Sequence, residues 1–229
     1  MKHVVLLLLL LLPISGTRSQ TLSSPKPAAT SSDSSSSQIQ KIGEDLYRLG
    51  SITIDSKKRE LSLPGKFNMQ KGMIELLACS VGGKVHESVL VLDVVPYHLQ
   101  VALLLLGLNF KGGLEFQGDP KAPKGDSVVV RVTWKNGDRD TTVRLEQLAW
   151  EVSGNKPMER TEFVFVGSKM VEGKFMADVE KSLITTYHDP YTILDNPLST
   201  GANDEVYKVN ETLVPVKGTP FILTINTLR

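Results

Sequence analysis

The chain contains a single cysteine, Cys79, and four histidines, and the spacing around Gly82-Gly83 makes Cys79 and His86 the first pair to consider for chemistry. Two apolar stretches flank these glycines, a favoured pair for a two-residue turn. Counting outward from such a turn pairs Val81 with Lys84, Ser80 with Val85 and Cys79 with His86, and puts Glu75 and Ser88 on the same face. Directly opposed residues in an antiparallel pair have β-carbons about 4.5–5.5 Å apart, so a thiol and an imidazole there share a proton. The thiolate so formed is a nucleophile or a redox group, with Glu75 or Ser88 orienting the ring. Against this stands the commoner condition of a free cysteine, a small buried hydrophobe, with His86 satisfied by polar neighbours.

A second set of candidates lies towards the C-terminus, in Tyr187-His188-Asp189-Pro190, Asp195-Asn196-Pro197 and Asn203-Asp204-Glu205. Oxygen-rich loops hold calcium, which makes Asp189, Asp195 and Asp204 candidate metal ligands. The regular alternation of an EF-hand loop is missing, and Asp, Asn and Pro are also ordinary turn residues. Zinc has less support: His86, His98 and His188 have no close ligand spacing. Gly82-Gly83 and Gly112-Gly113 stand alone, without the rest of a phosphate loop. Asn210-Glu211-Thr212 fits a glycosylation acceptor, which matters only in a eukaryotic secretory pathway. No cofactor is expected.

The elements that must position these residues are mainly strands. From about Ile42 onward, short apolar runs alternate with turn residues, about ten in all. Residues 51–55 and 60–63 predict one hairpin, and residues 128–134 and 141–148 predict another around Asn136-Gly137. With Asn136-Gly137 as the turn, Lys135 faces Asp138 and Trp134 faces Arg139. Further strands are expected at 161–166, 205–209 and 220–227. Residues 96–106 predict a helix that starts near Pro96, is apolar almost all round, and ends at Gly107. Such a helix must be buried, so the expected fold is α+β and strand-rich: sandwich-like antiparallel sheets packed around one apolar helix, with a second helical stretch possible at 176–186.

The N-terminus reads as an export signal. Met1, Lys2 and His3 precede an apolar run from Val4 to Leu12 closed by Pro13, too short for the about 20 residues a transmembrane helix needs. Residues 1–19 are therefore expected to be a cleaved signal peptide, 20–39 a Ser-rich flexible linker and 40–229 a single globular domain. Cleavage near Gln20 removes Lys2 and Arg18 from a chain with 26 Lys and Arg against 25 Asp and Glu, leaving the charge close to zero. That balance argues against nucleic acid or an anionic membrane as the main partner. One cysteine makes no internal disulfide, so the core alone must hold the domain.

The runs Gly72-Met73-Ile74-Glu75, Gly83-Lys84-Val85-His86-Glu87-Ser88, Leu104 to Gly107 and Phe165-Val166-Gly167-Ser168, in that order and spacing, resemble the YdjY-type domain of bacterial exported proteins. The resemblance runs from near Ser51 to about Asp189, and Asp195-Asn196-Pro197 looks like the tail of exported members. It implies a bacterial envelope protein with no established reaction, and motif roles for Glu75, His86, Glu87, Ser88, Gly167 and Ser168 in binding a ligand. Some members are associated by name with iron–sulfur sequences; one cysteine cannot hold a four-cysteine cluster. The expected function is a noncatalytic exported module, periplasmic or secreted, that binds a protein or small molecule in the cell envelope. A thiol-dependent enzyme or redox protein using Cys79 and His86, and a calcium module using the acidic loop, are the alternatives.

Overall fold

A computed structural model describes residues 38–112 and 114–228. The expected signal peptide and all but the last two residues of the expected linker lie outside them. In chain order the strands are β1 (Gln40–Gly43), β2 (Leu46–Leu49), β3 (Ile52–Asp55), β4 (Glu60–Phe67), β5 (Leu76–Ser80), β6 (Ser88–Leu92), β7 (Ser127–Asn136), β8 (Arg139–Arg144), β9 (Ala149–Glu151), β10 (Lys156–Pro157), β11 (Phe163–Phe165), β12 (Met170–Val171), β13 (Lys174–Phe175), β14 (Ser182–Thr185), β15 (Leu194–Asp195), β16 (Tyr207–Val209) and β17 (Pro220–Thr227). Helix α1 (Pro96–Leu105) lies between β6 and β7, and α2 (Met176–Glu180) between β13 and β14.

Strand alternation sets the core. On β4, β17 and β7 the inward positions line up in layers: Leu61, Ile225 and Val130, then Leu63, Leu223 and Val132, then Gly65, Phe221 and Trp134. The side chains in these rows are buried. Gly65 is required in its row, because a β-carbon there would sit 2.4 Å from the Phe221 ring. Phe67 fills the space beside it, edge-on to both Trp134 and Phe221 at 5.3 Å.

The sheet order β4-β17-β7-β11-β15-β14-β5-β6 returns to β4 through a β4–β6 pairing, which closes a barrel. The barrel is mixed, since β14–β15 and β5–β6 run parallel. Strands β1 to β3 continue the sheet from the first half of β4, β8 flanks β7, and β10-β9-β16 form a separate small sheet. The fold is therefore not a sandwich around a buried helix. At this strand number the interior is just wide enough for strand side chains to fill it, and α1 is left outside. It buries Leu99, Ala102 and Leu103 and leaves Tyr97, Leu104 and Leu105 about half exposed, packing across β3 and α2. Its end is as expected: Gly107, at φ +81°, lets the N–H groups of Gly107 and Leu108 bond back to Leu104 and Leu103.

Two further expectations change. The second helix stops at Glu180, because Lys181 turns left-handed at φ +58° and residues 182–185 are taken up as β14. In the β7–β8 hairpin the turn is Gly137-Asp138, with the glycine at the first central position where φ is +63°. The turn moves by one residue and each partner by two: Lys135 pairs with Asp140 at 3.0 Å, and Trp134 opposes Thr141, not Arg139.

Candidate functional site

The stretch that carries Cys79 and His86 is not a hairpin. β5 and β6 are parallel neighbours, with Leu76 opposite Ser88, Ala78 opposite Leu90 and Cys79 opposite Val91. The chain must therefore run back the whole length of β5 within residues 81–87, where parallel strands ordinarily need a connection of a dozen or more. Local chemistry makes so short a crossover workable. Gly82 adopts φ +82°, and Gly83 packs so closely that a β-carbon would lie 2.6 Å from Cβ of Lys181 and 3.3 Å from Cβ of Cys79. Asn68, buried at the end of β4, donates from Nδ2 to the carbonyls of Val85 (2.6 Å) and Ser88 (2.8 Å). The N–H groups of Glu75 and Leu76 both bond to the carbonyl of Glu87.

The crossover splits the candidate residues into a floor and a rim. Cys79 and Ser88 are fully buried. Burial pushes the Cys79 thiol up, with a hydrogen bond to the Ser88 side chain as the smaller, opposing influence, and the Ser88 hydroxyl donates to the carbonyl of Leu90. His86 lies on the far side of the loop with its side chain 76% exposed. The expected thiol–imidazole pair does not form, because the two residues sit on opposite sides of a crossover and not across a ladder.

On the rim, Lys84 lies 3.2 Å from Glu87 and 3.5 Å from Glu75, and His86 Nε2 lies 3.6 Å from Glu87. Burial, followed by the charge of Glu87, holds the Glu75 carboxyl above its usual range, while Lys84 pulls it back. Burial alone would lower the Lys84 ammonium, but Glu87, Glu75 and Asp189 outweigh it and hold it up. Two shallow pockets open on this rim. One of about 300 Å³ is lined by Met73, Glu75, His86, Glu87, Asp204 and Glu205. The other, of about 350 Å³, is lined by Lys84, Glu115, Phe116, Gln117, Glu180, Asp189 and Tyr191. Tyr187 is set beside them, its main-chain N–H on the carbonyl of Glu75, and its phenol is raised by burial and then by the charges of Asp204 and Glu75.

The acidic C-terminal residues do not gather into a metal site. Asp195 is fully buried and accepts hydrogen bonds from the Thr185 hydroxyl (2.8 Å) and the Asn196 N–H (2.7 Å). Burial pushes its pKa up to about 8. Asp189 caps the Tyr191 N–H at 2.9 Å, and Asp204 lines the other pocket. Among the described residues no group of three or more His, Cys, Asp or Glu side chains is placed to hold a metal ion. The residue that ties this region together is His188, named above only within the acidic cluster and as a weak zinc candidate. It is fully buried, with Nδ1 2.6 Å from the carbonyl of Asp119 and Nε2 2.9 Å from that of Asn196. A carbonyl only accepts, so the ring nitrogen that carries the proton donates to the carbonyl it faces. Gly201 has to be glycine because a β-carbon would lie 2.2 Å from this ring.

Gly167 and Ser168 lie elsewhere. Gly167, at φ +62°, allows the Phe110 ring to approach, and Ser168 is a buried staple. Its N–H bonds to Gln100 of α1, its hydroxyl donates to the carbonyl of Tyr191, and its Oγ accepts from Ala177 of α2. Through Tyr191 it supports the wall of one rim pocket. Asn210 is buried and fully engaged, donating to the carbonyl of Gln147 and accepting from Thr212.

The fold is a mixed barrel with a seven-residue parallel crossover and a charged rim, and the sequence supplies the family. The chain belongs to the YdjY domain family, whose model matches residues 52–226. No curated protein and no solved structure matches it.

Proposed function

We propose that this chain is an exported, noncatalytic binding domain that takes a cationic ligand on the rim of the β5–β6 crossover. The observation that carries the reading is the charge imbalance there. Glu75, Glu87, Asp204 and Glu205 line one pocket, and Glu115, Glu180 and Asp189 line the other together with Lys84, which also pairs with Glu75 and Glu87 of the first. A Glu75 carboxyl held up by burial and by Glu87 is relieved when a second positive charge arrives. Phe116, 56% exposed at the edge, offers an aromatic face to an ammonium or guanidinium group. Burial of Cys79 and its raised thiol weigh against the thiol reading, and dispersal of Asp189, Asp195 and Asp204 weighs against calcium. Export is supported by the N-terminal apolar run and by the family.

The test is calorimetric titration of the protein with an Arg- and Lys-rich hexapeptide and with its Glu-rich counterpart. Binding of the basic peptide, weakened by added salt and by Glu75→Gln with Glu87→Gln, is the expected result. Equal binding of both peptides, or of neither, contradicts the proposal.

A further inference from the structure

A second site lies on the small β10-β9-β16 sheet. Trp150 occupies the middle strand with its side chain outward, opposite Pro157 on one side and Lys208 on the other. Its neighbour Ala149 points inward and is buried, so the alternation of β9 itself holds the indole at the surface. The other tryptophan, Trp134, is core. The indole lines a cavity of about 260 Å³ whose wall includes Asn155, Lys208, Glu211 and Thr212. Trp150 is half-buried, and its Nε1 makes no hydrogen bond among the described residues, which leaves it open to a ligand.

Both ends of the cavity are held rigid. Asn155 sits in a tight turn at φ +47°, closed by its N–H on the carbonyl of Val152. The Glu211-Thr212 turn is locked from below by Asn210, which accepts from both the N–H and the hydroxyl of Thr212. The result is a flat aromatic floor with a free donor at its edge and polar side chains on a preformed wall. The cavity is just below the about 300–1,000 Å³ of pockets for drug-sized ligands, which suits a single ring. Lys208 and Glu211 carry opposite charges, so neither an anion nor a cation is selected. A neutral ring with one apolar face and a hydroxylated edge matches this arrangement.

We infer that Trp150 is the stacking platform of a saccharide-binding subsite, with Asn155, Lys208 and Glu211 reading the hydroxyls of one sugar ring. The site is independent of the acidic rim: a neutral sugar is indifferent to salt, whereas a cationic ligand is not.

The experiment follows the two indole N–H signals of the full chain by NMR while cellobiose, maltose or N,N′-diacetylchitobiose is added. At least one disaccharide should shift the Trp150 signal saturably and leave Trp134 in place, with the same midpoint at low and high salt. Trp150→Ala should abolish the binding. Because that variant exposes the small sheet, Glu211→Gln and Asn155→Ala provide the second check, each weakening binding about tenfold without moving the thermal midpoint. No shift with any sugar, a shift of Trp134 alone, or a saturable shift with a proline-rich peptide in place of sugars overturns the assignment.

Discussion

The β5–β6 crossover has two sides built from adjacent residues with opposite fates. On the floor, Asn68, Cys79 and Ser88 are buried, and the Asn68 amide and the Ser88 hydroxyl donate to main-chain carbonyls. On the rim, Glu75, Lys84 and Glu87 pair with one another half-buried, with His86 open to solvent beside them, and they keep capacity for a ligand. What separates them is Gly83, which lies directly over Cys79. A polar residue in a motif is thus no guide to its use; the direction the backbone gives it decides between staple and ligand contact.

The comparison breaks most visibly through buried polar groups. Asp195, a buried polar group like those of the floor, has its pKa pushed from the ordinary 3.8 up to about 8, so between those values the unfolded chain is the more ionised form. Stability is full below about pH 4 and falls as pH rises through 8. Chemical denaturation from pH 5 to pH 9 should show this fall, and Asp195→Asn should flatten it; a wild-type profile that rises over that window contradicts the assignment. Next in size is Asn68→Leu, which leaves the carbonyls of Val85 and Ser88 without their donor and should cost about 2–3 kcal/mol in urea unfolding. Gly83→Ala should cost about 1–3 kcal/mol, because Lys181 and Cys79 must give way.

Rim changes should be smaller. Lys84→Met removes the partner of both Glu75 and Glu87 and should cost about 1 kcal/mol in salt-free buffer, shrinking as salt is added. His86→Ala, with its side chain in solvent, should leave the unfolding midpoint where it is. A rim variant that destabilises as much as Asn68→Leu would erase the distinction between the two sides.

Much of the strand content was legible because alternation and turn chemistry are local. Pro220 to Thr227 and the hairpin expected at 51–55 and 60–63 follow from residue order alone, as does the helix stop at Gly107, while the continuation of β4 to Phe67 does not. Pairing direction was not legible. Gly82-Gly83 suits a hairpin and a tight crossover equally, and only contacts from Asn68 and Lys181, distant in sequence, choose the crossover. The apolar α1 suggested burial on all sides, but closure of the barrel is a property of β4 meeting β6, which no window of sequence contains. Of the proposed rim, Glu75, His86 and Glu87 were named in the sequence through the family resemblance, while the pairing roles of Lys84 and His188 were not. Lys84 gains its role by standing between carboxylates from separate segments, and His188 by reaching Asp119 and Asn196 across loops.

The most direct test of the floor-and-rim account is the rate of Cys79 alkylation against pH in the folded protein, with and without His86→Ala. The account predicts that modification waits for unfolding and is the same in both proteins. Rapid alkylation of the folded protein well below the ordinary thiol pKa of about 8.5, lost in His86→Ala, would contradict it and restore the thiol pair.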